Sequence, residues 1–436
     1  GPLHVGHGRG AAVGDSLARL LRKAGFDVET EYYINDAGRQ MRILGLSVWL
    51  RVKELAGRPV EWPEDYYRGS YIIDIAREML AEDPSLPDME DQAGQDRCYE
   101  RAMNEILDGI KADLADFRVE HQHWFSEKTL VESGAVKAAF DALTEAGHTF
   151  DKDGAFWFAT QALGDDKDRV LIKSDGEYTY FASDVAYHWD KFQRVDHVID
   201  IWGADHHGYI ERVRCVCDAL GYPGKFEVLL GQLVNLLRNG KPVRMSKRKG
   251  TMVTLQELVD EVGSDAARYT LISKSSNQMV DFDIEAVKKR DNSNPVYYVQ
   301  YAHARVCSIL RRAADVTPEQ ADEMGMKAVA AKAIGENVDY SLLTDPTELA
   351  LSRKLNELTD LIASCARDRA PFRLTHFAEE LAGDFHSFYA ACQVLPSEGR
   401  PVDPELSRAR LAACDAVRVT LALVLTLVGV SAPEQM

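Results

Sequence analysis

Gly1-Pro2-Leu3-His4-Val5-Gly6-His7-Gly8-Arg9-Gly10 sets two imidazoles three residues apart in a glycine-rich start. Behind it Val13, Leu17, Leu20 and Leu21 recur at helical spacing, and Gly25 follows Arg22 and Lys23 as a stop. The spacing predicts a helix with His4 and His7 in its first turn or just before it. A helix N-terminus offers unpaired N–H groups and partial positive charge, small residues let a ligand approach the backbone, and positions i and i+3 share a face. That combination suits a polyphosphate, so ATP chemistry is the leading expectation, with His4, Gly6 and His7 as candidate contacts. Taken alone, the pattern fits a pair of satisfied histidines on a surface turn equally well.

A second segment decides between these readings. Arg244-Met245-Ser246-Lys247-Arg248-Lys249-Gly250 follows the apolar run Val228 to Leu237 and a turn at Asn239-Gly240, and precedes a helix-like stretch from Thr254. Six basic residues and no acid fall between Arg238 and Lys249. By itself that is a solvated basic patch. Paired with the His-x-Gly-His start, it resembles the signature of class I aminoacyl-tRNA synthetases, whose second motif is Lys-Met-Ser-Lys-Ser. Here Lys247 keeps the second lysine and Arg244 stands for the first, which preserves charge but alters its geometry, while Arg248 replaces the final serine.

Three further blocks narrow the resemblance to the arginyl-tRNA synthetase family: Glu31 to Gln40, Trp202 to Tyr209 and Asn294 to Arg305, in that order, with the chain closing on Ser431 to Met436. The resemblance implies a Rossmann-like, doubly wound parallel α/β catalytic domain followed by an all-α helix-bundle anticodon-binding domain. It also implies a ligase that joins L-arginine to tRNA(Arg) through an arginyl-adenylate, with ATP and its Mg2+ as substrate and no structural metal. His4, His7 and Lys247 would be catalytic, with Gly6, Gly203, Met245 and Ser246 completing the ATP site. Tyr180, Asp184, Asp205 and His206 would bind arginine, and Tyr301, Arg305 and Met436 would contact tRNA. The family also has an N-terminal RNA-binding domain and a strand leading into Gly-Pro-Leu-His, so the chain reads as N-terminally truncated; Gly1-Pro2 is read as native sequence rather than a cleavage scar.

Composition fits this reading. A length of 436 residues implies two or three domains, and 46% hydrophobic with 28% charged residues is ordinary for a globular protein. The apolar run Val419 to Val430 is too short for ~30 Å of hydrocarbon at ~1.5 Å per residue, and reads as a buried helix. No signal peptide is visible, so a cytoplasmic monomer with no membrane partner is expected. Seven cysteines without a C-x-x-C pair read as buried free thiols. The net charge of −18 does not exclude RNA, because phosphate contacts sense local potential within roughly 8 Å. Basic runs occur at Arg238 to Lys249, Lys288 to Arg290 and Arg311-Arg312.

The expected division is 1–240 for the catalytic domain, with a charged insertion at about 56–120; 241–290 for the basic loop and a helical connector; and 291–436 for the bundle. Strands are expected at Thr30 to Ile34, Ala155 to Ala159, Arg169 to Ile172, Tyr178 to Phe181 and His197 to Trp202, and a helix at Gly208 to Leu220. In the last third Tyr297, Tyr301, Ala304 and Ile309 are taken as one apolar face, with Tyr301 or Tyr389 as stacking surfaces for unstacked bases. If Asp184 opens a helix, its carboxylate is an ordinary N-cap; the family resemblance instead makes it the partner of the substrate guanidinium, held with Tyr180. A carboxylate accepting two parallel hydrogen bonds is the group that distinguishes guanidinium from ammonium. Two alternatives remain beside the ligase: a non-catalytic tRNA-binding paralogue, and a small-molecule nucleotidyltransferase sharing His-x-Gly-His, which has no need of a helical last third.

Overall fold

The structure, a computed structural model, describes residues 1–243 and 253–436. Helix α1 (Val5–Lys23) forms where the apolar spacing predicts it, burying Val13, Leu17, Leu20 and Leu21, and Gly25 follows at φ +97°. Full burial of such a side chain contributes about 1.5–3 kcal/mol. Strand β1 (Glu31–Ile34) leads into α2 (Arg39–Leu55), α3 (Ser70–Glu82) and α4 (Asp91–Asp116). These three helices close on their own apolar cluster, with Trp49, Val48, Ile72, Ile75 and Cys98 at its centre. The chain then returns as β2 (His123–Ser126), paired in parallel with β1.

Helices α5 (Lys128–Glu132) and α6 (Ala135–Glu145) precede an antiparallel meander of β3 (Thr149–Lys152), β4 (Ala155–Phe158) and β5 (Arg169–Ile172). After α7 (Tyr180–Phe192), strand β6 (Val198–Gly203), helix α8 (Ile210–Ala219) and strand β7 (Phe226–Gly231) make a second parallel crossover, β6 pairing with β7. The expected parallel layer is thus built from two pairs, β1–β2 and β6–β7, which among the described residues are not hydrogen-bonded to each other. Helix α1 lies over β6: a Cβ on Gly14 would stand 2.7 Å from Ile201 Cδ1, so any larger residue there would have to displace that side chain.

Strands β8 (Val234–Arg238) and β9 (Lys241–Pro242) form a hairpin, turned by Asn239 at φ +52° and Gly240 at φ +74°. Helices α9 (Leu255–Val262) and α10 (Ser264–Ile272) follow, and β10 (Val280–Asp283), parallel to β8, leads to α11 (Ile284–Val287). The remainder is helical: α12 (Pro295–Ala314), α13 (Pro318–Met324), α14 (Met326–Ile334), α15 (Pro346–Asn356), α16 (Leu358–Asp368), α17 (Phe372–Ala391) and α18 (Pro404–Leu427). The run from Val419 lies in and just beyond α18, and no helix among the described residues is long and apolar enough to cross a membrane. The seven cysteines are buried free thiols.

Two local expectations change. Tyr178 makes only an isolated bridge to Ile172, and α7 begins at Tyr180. Phe181, Ala182, Val185, Ala186 and His188 bury one helical face there, a period that outweighs the aromatic strand propensity of a short run. The apolar run Val228 to Leu237 holds two strands in different sheets, the chain crossing between them at Gln232-Leu233. In α12 the buried face is Val296, Val299, Ala302, Val306 and Leu310, with Ala304 and Ile309 beside it; Tyr297 and Tyr301 are only partly buried and line an open groove.

Candidate active site and RNA-facing groove

His4 is the N-cap of α1, in extended conformation at φ −113° and ψ 171°. Its Nδ1 accepts the Gly6 N–H at 3.1 Å, and its own N–H donates to His7 Nδ1 at 3.3 Å. This is a capping box made of imidazoles. The rings stack with centroids 3.6 Å apart. Because each Nδ1 accepts a backbone N–H, the neutral rings carry their proton on Nε2. Both histidines therefore present a ring N–H donor at a helix N-terminus, the arrangement that favours an anion.

The same turn meets the exit of the basic segment. Leu255 N–H donates to Leu3 O at 2.8 Å, and Thr254 forms an antiparallel bridge with His4. Thr254 in turn caps α9 reciprocally with Glu257. Gly8 allows this contact, since a Cβ there would lie 2.6 Å from Leu255 Cδ1. Arg244, Met245, Ser246 and Lys247 lie outside the described residues. Gly203 ends β6, and Asp205 and His206 follow in a 3-10 turn (Ala204–Tyr209), both strongly exposed. These loops sit at the carboxyl ends of parallel strands, where open α/β sheets bind ligands.

The carboxyl ends of β1 and β2 form the other wall with α7. Thr179 occupies the N-cap position of α7, so Asp184 lies more than a turn inside the helix and is not its cap. Its carboxylate is half-buried, and among the described residues no hydrogen bond or ion pair ends on it. Burial pushes its pKa up to about 6; Glu127 and Asp200 add to the rise, while His188 and Arg212 oppose it. Burial, followed by the neighbouring carboxylates of Glu127, Asp184 and Asp36, holds the Tyr33 hydroxyl well above the ordinary range. Three carboxylates, Glu127, Asp184 and Asp36, thus act together on the Tyr33 hydroxyl. Tyr180 is 79% exposed, with its ring edge near Gly38.

Helix α7 is pinned from behind. The buried Asp200 of β6 contacts His188 Nε2 at 3.0 Å and accepts from Lys191 Nζ at 2.6 Å, while His188 Nδ1 lies 2.7 Å from the Asp184 carbonyl. Tyr187 donates to Glu31 of β1 at 2.6 Å. Sequence reasoning missed Glu127 and Arg212. Glu127 directly follows β2, and the position at the end of a parallel strand was the signal that could have found it. Arg212, whose guanidinium stands 4.4 Å from the Tyr209 ring centroid with Nε buried and unpartnered, had no signal beyond its place in the helix after Asp205 and His206.

In the last third, Arg290, Asp291, Asn292, Ser293, Tyr297 and Tyr301 line an open groove of about 520 Å³. Arg305 donates to the Tyr301 hydroxyl at 2.8 Å and stands 4.6 Å from the Tyr389 ring. The terminal segment is tied to α12, His303 Nδ1 lying 2.9 Å from Pro433 O and Arg311 donating to Glu434 O at 3.0 Å; Met436 is 56% exposed. Among the described residues no group of three or more His, Cys, Asp or Glu is placed to hold a metal ion.

Residues 1–308 match the family described as tRNA synthetases class I (R), catalytic domain, and residues 299–436 match the DALR anticodon binding domain. The arginine–tRNA ligase of Desulfovibrio desulfuricans is 58% identical over 441 residues, covering all of this chain and 77% of the relative. That of a Geobacter species is 47% identical and covered to 76%. Among solved structures, a putative arginyl-tRNA synthetase from Campylobacter jejuni aligns with a TM-score of 0.86 and 34% identity, over all of this chain and 91% of the other. The Thermus thermophilus arginyl-tRNA synthetase aligns at 0.75 with 22% identity over 80% of its chain, a likeness of fold.

Proposed function

The chain belongs to the class I arginyl-tRNA synthetase family and is an arginine–tRNA ligase, and on that premise we propose how its own residues divide the work. His4 and His7, through their Nε2–H donors, together with Gly6, Gly203, Met245, Ser246 and Lys247, hold ATP. Asp184 and Tyr180, with Glu127 as a second acceptor and Asp205 and His206 at the rim, hold arginine. The observation that carries this assignment is the half-buried Asp184 carboxylate, with no partner among the described residues, in a pocket of further acids. A guanidinium completes that charge balance.

The arginine carboxylate then attacks the α-phosphorus of ATP, which enters with its Mg2+; a carboxyl O–P bond forms as the P–O bond to the leaving diphosphate breaks. His4, His7 and Lys247 stabilise the charge that gathers on the departing phosphates. In the second step a hydroxyl of the tRNA's terminal ribose attacks the acyl carbon and AMP leaves. No protein nucleophile is required. The groove from Arg290 to Tyr301, with Arg305, Tyr389 and Met436, takes unstacked bases of tRNA(Arg), using tyrosine faces for stacking and guanidinium for phosphate. The working division is catalysis in 1–240, the signature segment and connector in 241–290 and anticodon binding in 291–436, in a monomer acting in the cytoplasm.

Neither the non-catalytic nor the nucleotidyltransferase alternative is favoured. ATP–diphosphate exchange measured across the twenty amino acids, with and without tRNA, tests the assignment. Exchange with arginine alone, lost on Asp184→Asn, is expected. Exchange unaffected by Asp184→Asn would refute the pocket.

A further inference from the structure

Arg9 is the one charged side chain of the first two turns of α1, and it faces inward. The residue is 1% exposed. No ion pair reaches it among the described residues; Nη1 donates to Gln232 O at 2.7 Å and Nη2 to Ser275 O at 2.9 Å, while Nε is buried and unpartnered. Burial lowers its pKa. A cation near a helix N-terminus also opposes the helix dipole, and burying one without a counter-charge is expensive. Nothing about packing requires it, since the surrounding Gly10, Val13, Ile201 and Leu229 are apolar or small. What the fork achieves is a three-way junction. Gln232 is the crossover from β7 to β8, Ser275 follows α10, and the two are joined directly by Gln232 N–H donating to Ser276 O at 2.9 Å.

That junction sits at the base of β8, whose hairpin leads into the segment carrying Lys247. The far end of the same segment is registered to α1 by the Leu255–Leu3 hydrogen bond and the Thr254–His4 bridge. One end is therefore fixed to the histidine turn through backbone, while the entry strand shares an apolar core with α1 and takes its directional hydrogen bonds to that helix from the Arg9 guanidinium, through Gln232. We infer that Arg9 is a positioning residue for amino-acid activation, setting the distance between the His4/His7 turn and the strand that leads to Lys247 without itself touching substrate. This rests on the assignment of His4, His7 and Lys247 to the phosphates. A planar fork that grips two carbonyls fixes direction as well as distance, which an ammonium does not.

The test uses the enzyme with Arg9→Met, Arg9→Lys and, as reference, His7→Ala, reading ATP–diphosphate exchange, KM for arginine, tRNA affinity and Tm. Because misplacement by about 1 Å costs on the order of 100-fold in rate, Arg9→Met is expected to lose about that factor in kcat while KM for arginine and Kd for tRNA stay within about twofold. Arg9→Lys, which keeps the charge and one carbonyl bond, should recover part of the loss. If Arg9→Met exchanges within about threefold of wild type, roughly 0.65 kcal/mol, while His7→Ala is crippled, the inference is overturned and the phosphate site stands. If His7→Ala is equally unaffected, the phosphate site falls and the inference with it. If kcat and Tm fall and KM for arginine rises in Arg9→Met with no recovery in Arg9→Lys, Arg9 is a fold brace only and the inference is overturned. Should Arg9→Met not fold, Arg9→Lys decides: reduced kcat at unchanged KM for arginine supports the inference, and wild-type kcat refutes it.

Discussion

Replacing Asp184 by asparagine should lower activity and raise stability together, a pairing that only a binding carboxylate produces. In the ligand-free protein burial raises this carboxyl from its ordinary 3.8 to about 6. At pH 7 it is ionised in both the folded and the unfolded chain, but only the folded one bears the burial cost, roughly 3 kcal/mol at ~1.36 kcal/mol per pKa unit. This destabilisation is fully present above about pH 6 and absent below about 4, where both forms are protonated. Asparagine removes it, so Tm at pH 7 should rise by roughly 2–4 °C for each kcal/mol recovered. For arginine the change is opposite: the desolvated guanidinium loses its counter-charge, at a cost of roughly 3–5 kcal/mol or two to four decades in kcat/KM. Lysine gains less from the carboxylate, so the arginine-to-lysine ratio should shrink while KM for ATP barely moves. In the wild type, protonation competes with the guanidinium, so kcat/KM for arginine should fall about tenfold per pH unit below about 6, and this dependence should vanish in the variant. The assay is exchange with each amino acid from pH 5 to pH 8, roughly the window in which native proteins are most stable, beside a thermal melt. A loss on arginine of less than about tenfold, ~1.4 kcal/mol, accompanied by a fall in Tm, would refute the reasoning and make Asp184 structural.

Glu127→Gln removes a like charge beside Asp184, so it should weaken arginine binding and also bring the apparent pKa near 6 in the arginine profile downward; a profile that stays put would remove Glu127 from the pocket. His7→Ala gives up one charge-stabilising donor and the backbone partner of His4, and should cost on the order of 3–4 kcal/mol in the exchange barrier, with tRNA affinity unchanged in a filter-binding or anisotropy measurement. Arg305→Ala should weaken tRNA(Arg) binding and reduce the slope of log K against log salt by about one if the guanidinium meets a phosphate, leaving KM for arginine alone. Gly429→Ala places a Cβ 2.1 Å from the buried Arg268 guanidinium at φ +69°, so Tm should fall by an amount corresponding to at least about 1–3 kcal/mol.

What was legible in the sequence is what short-range patterns encode. The apolar spacing behind His4 and His7 marks α1 to within a residue or two, and the Asn239-Gly240 pair marks a hairpin because both residues reach positive φ readily. Long-range placement was not legible. Nothing local to Ser126-Glu127 says that it faces Asp184, because the two meet only when β1, β2 and α7 pack together. Nor does the glycine-rich start announce that Arg9 turns inward to bond Gln232 and Ser275. The Tyr178 to Phe181 strand failed for a related reason: three aromatic residues in four favour a strand locally, whereas the buried face that makes α7 a helix is spread over Phe181 to His188. The apolar face of α12 failed at the same level. A tyrosine at helical spacing from buried alanines looks apolar, and only the packing of the neighbouring helices leaves Tyr297 and Tyr301 on the groove.

Helix α1 and the helical last third meet at a charged joint, and this bears on how two parts of one molecule are held in register. Arg268 of α10 is fully buried, donating to Asp15 of α1 at 2.5 Å, to Phe117 O at the end of α4 at 2.8 Å and to Val428 O beyond α18 at 3.2 Å. Beside it Arg118 pairs with Asp265 at 2.6 Å, and Asp265 also accepts from Ser431 N–H at 3.0 Å and Gln300 at 2.8 Å. One apolar core runs through this joint, from Leu3 and Leu17 to Phe385 and Val430. Arg268 draws three separate segments onto one planar group, and loss of the Asp15 partner from that buried group costs about 3–5 kcal/mol. Hydrophobic contact alone would allow α1 to slide against the bundle. The fixed directions of guanidinium bonds do not, so the turn that carries His4 and His7 keeps its place relative to the tail that carries Met436.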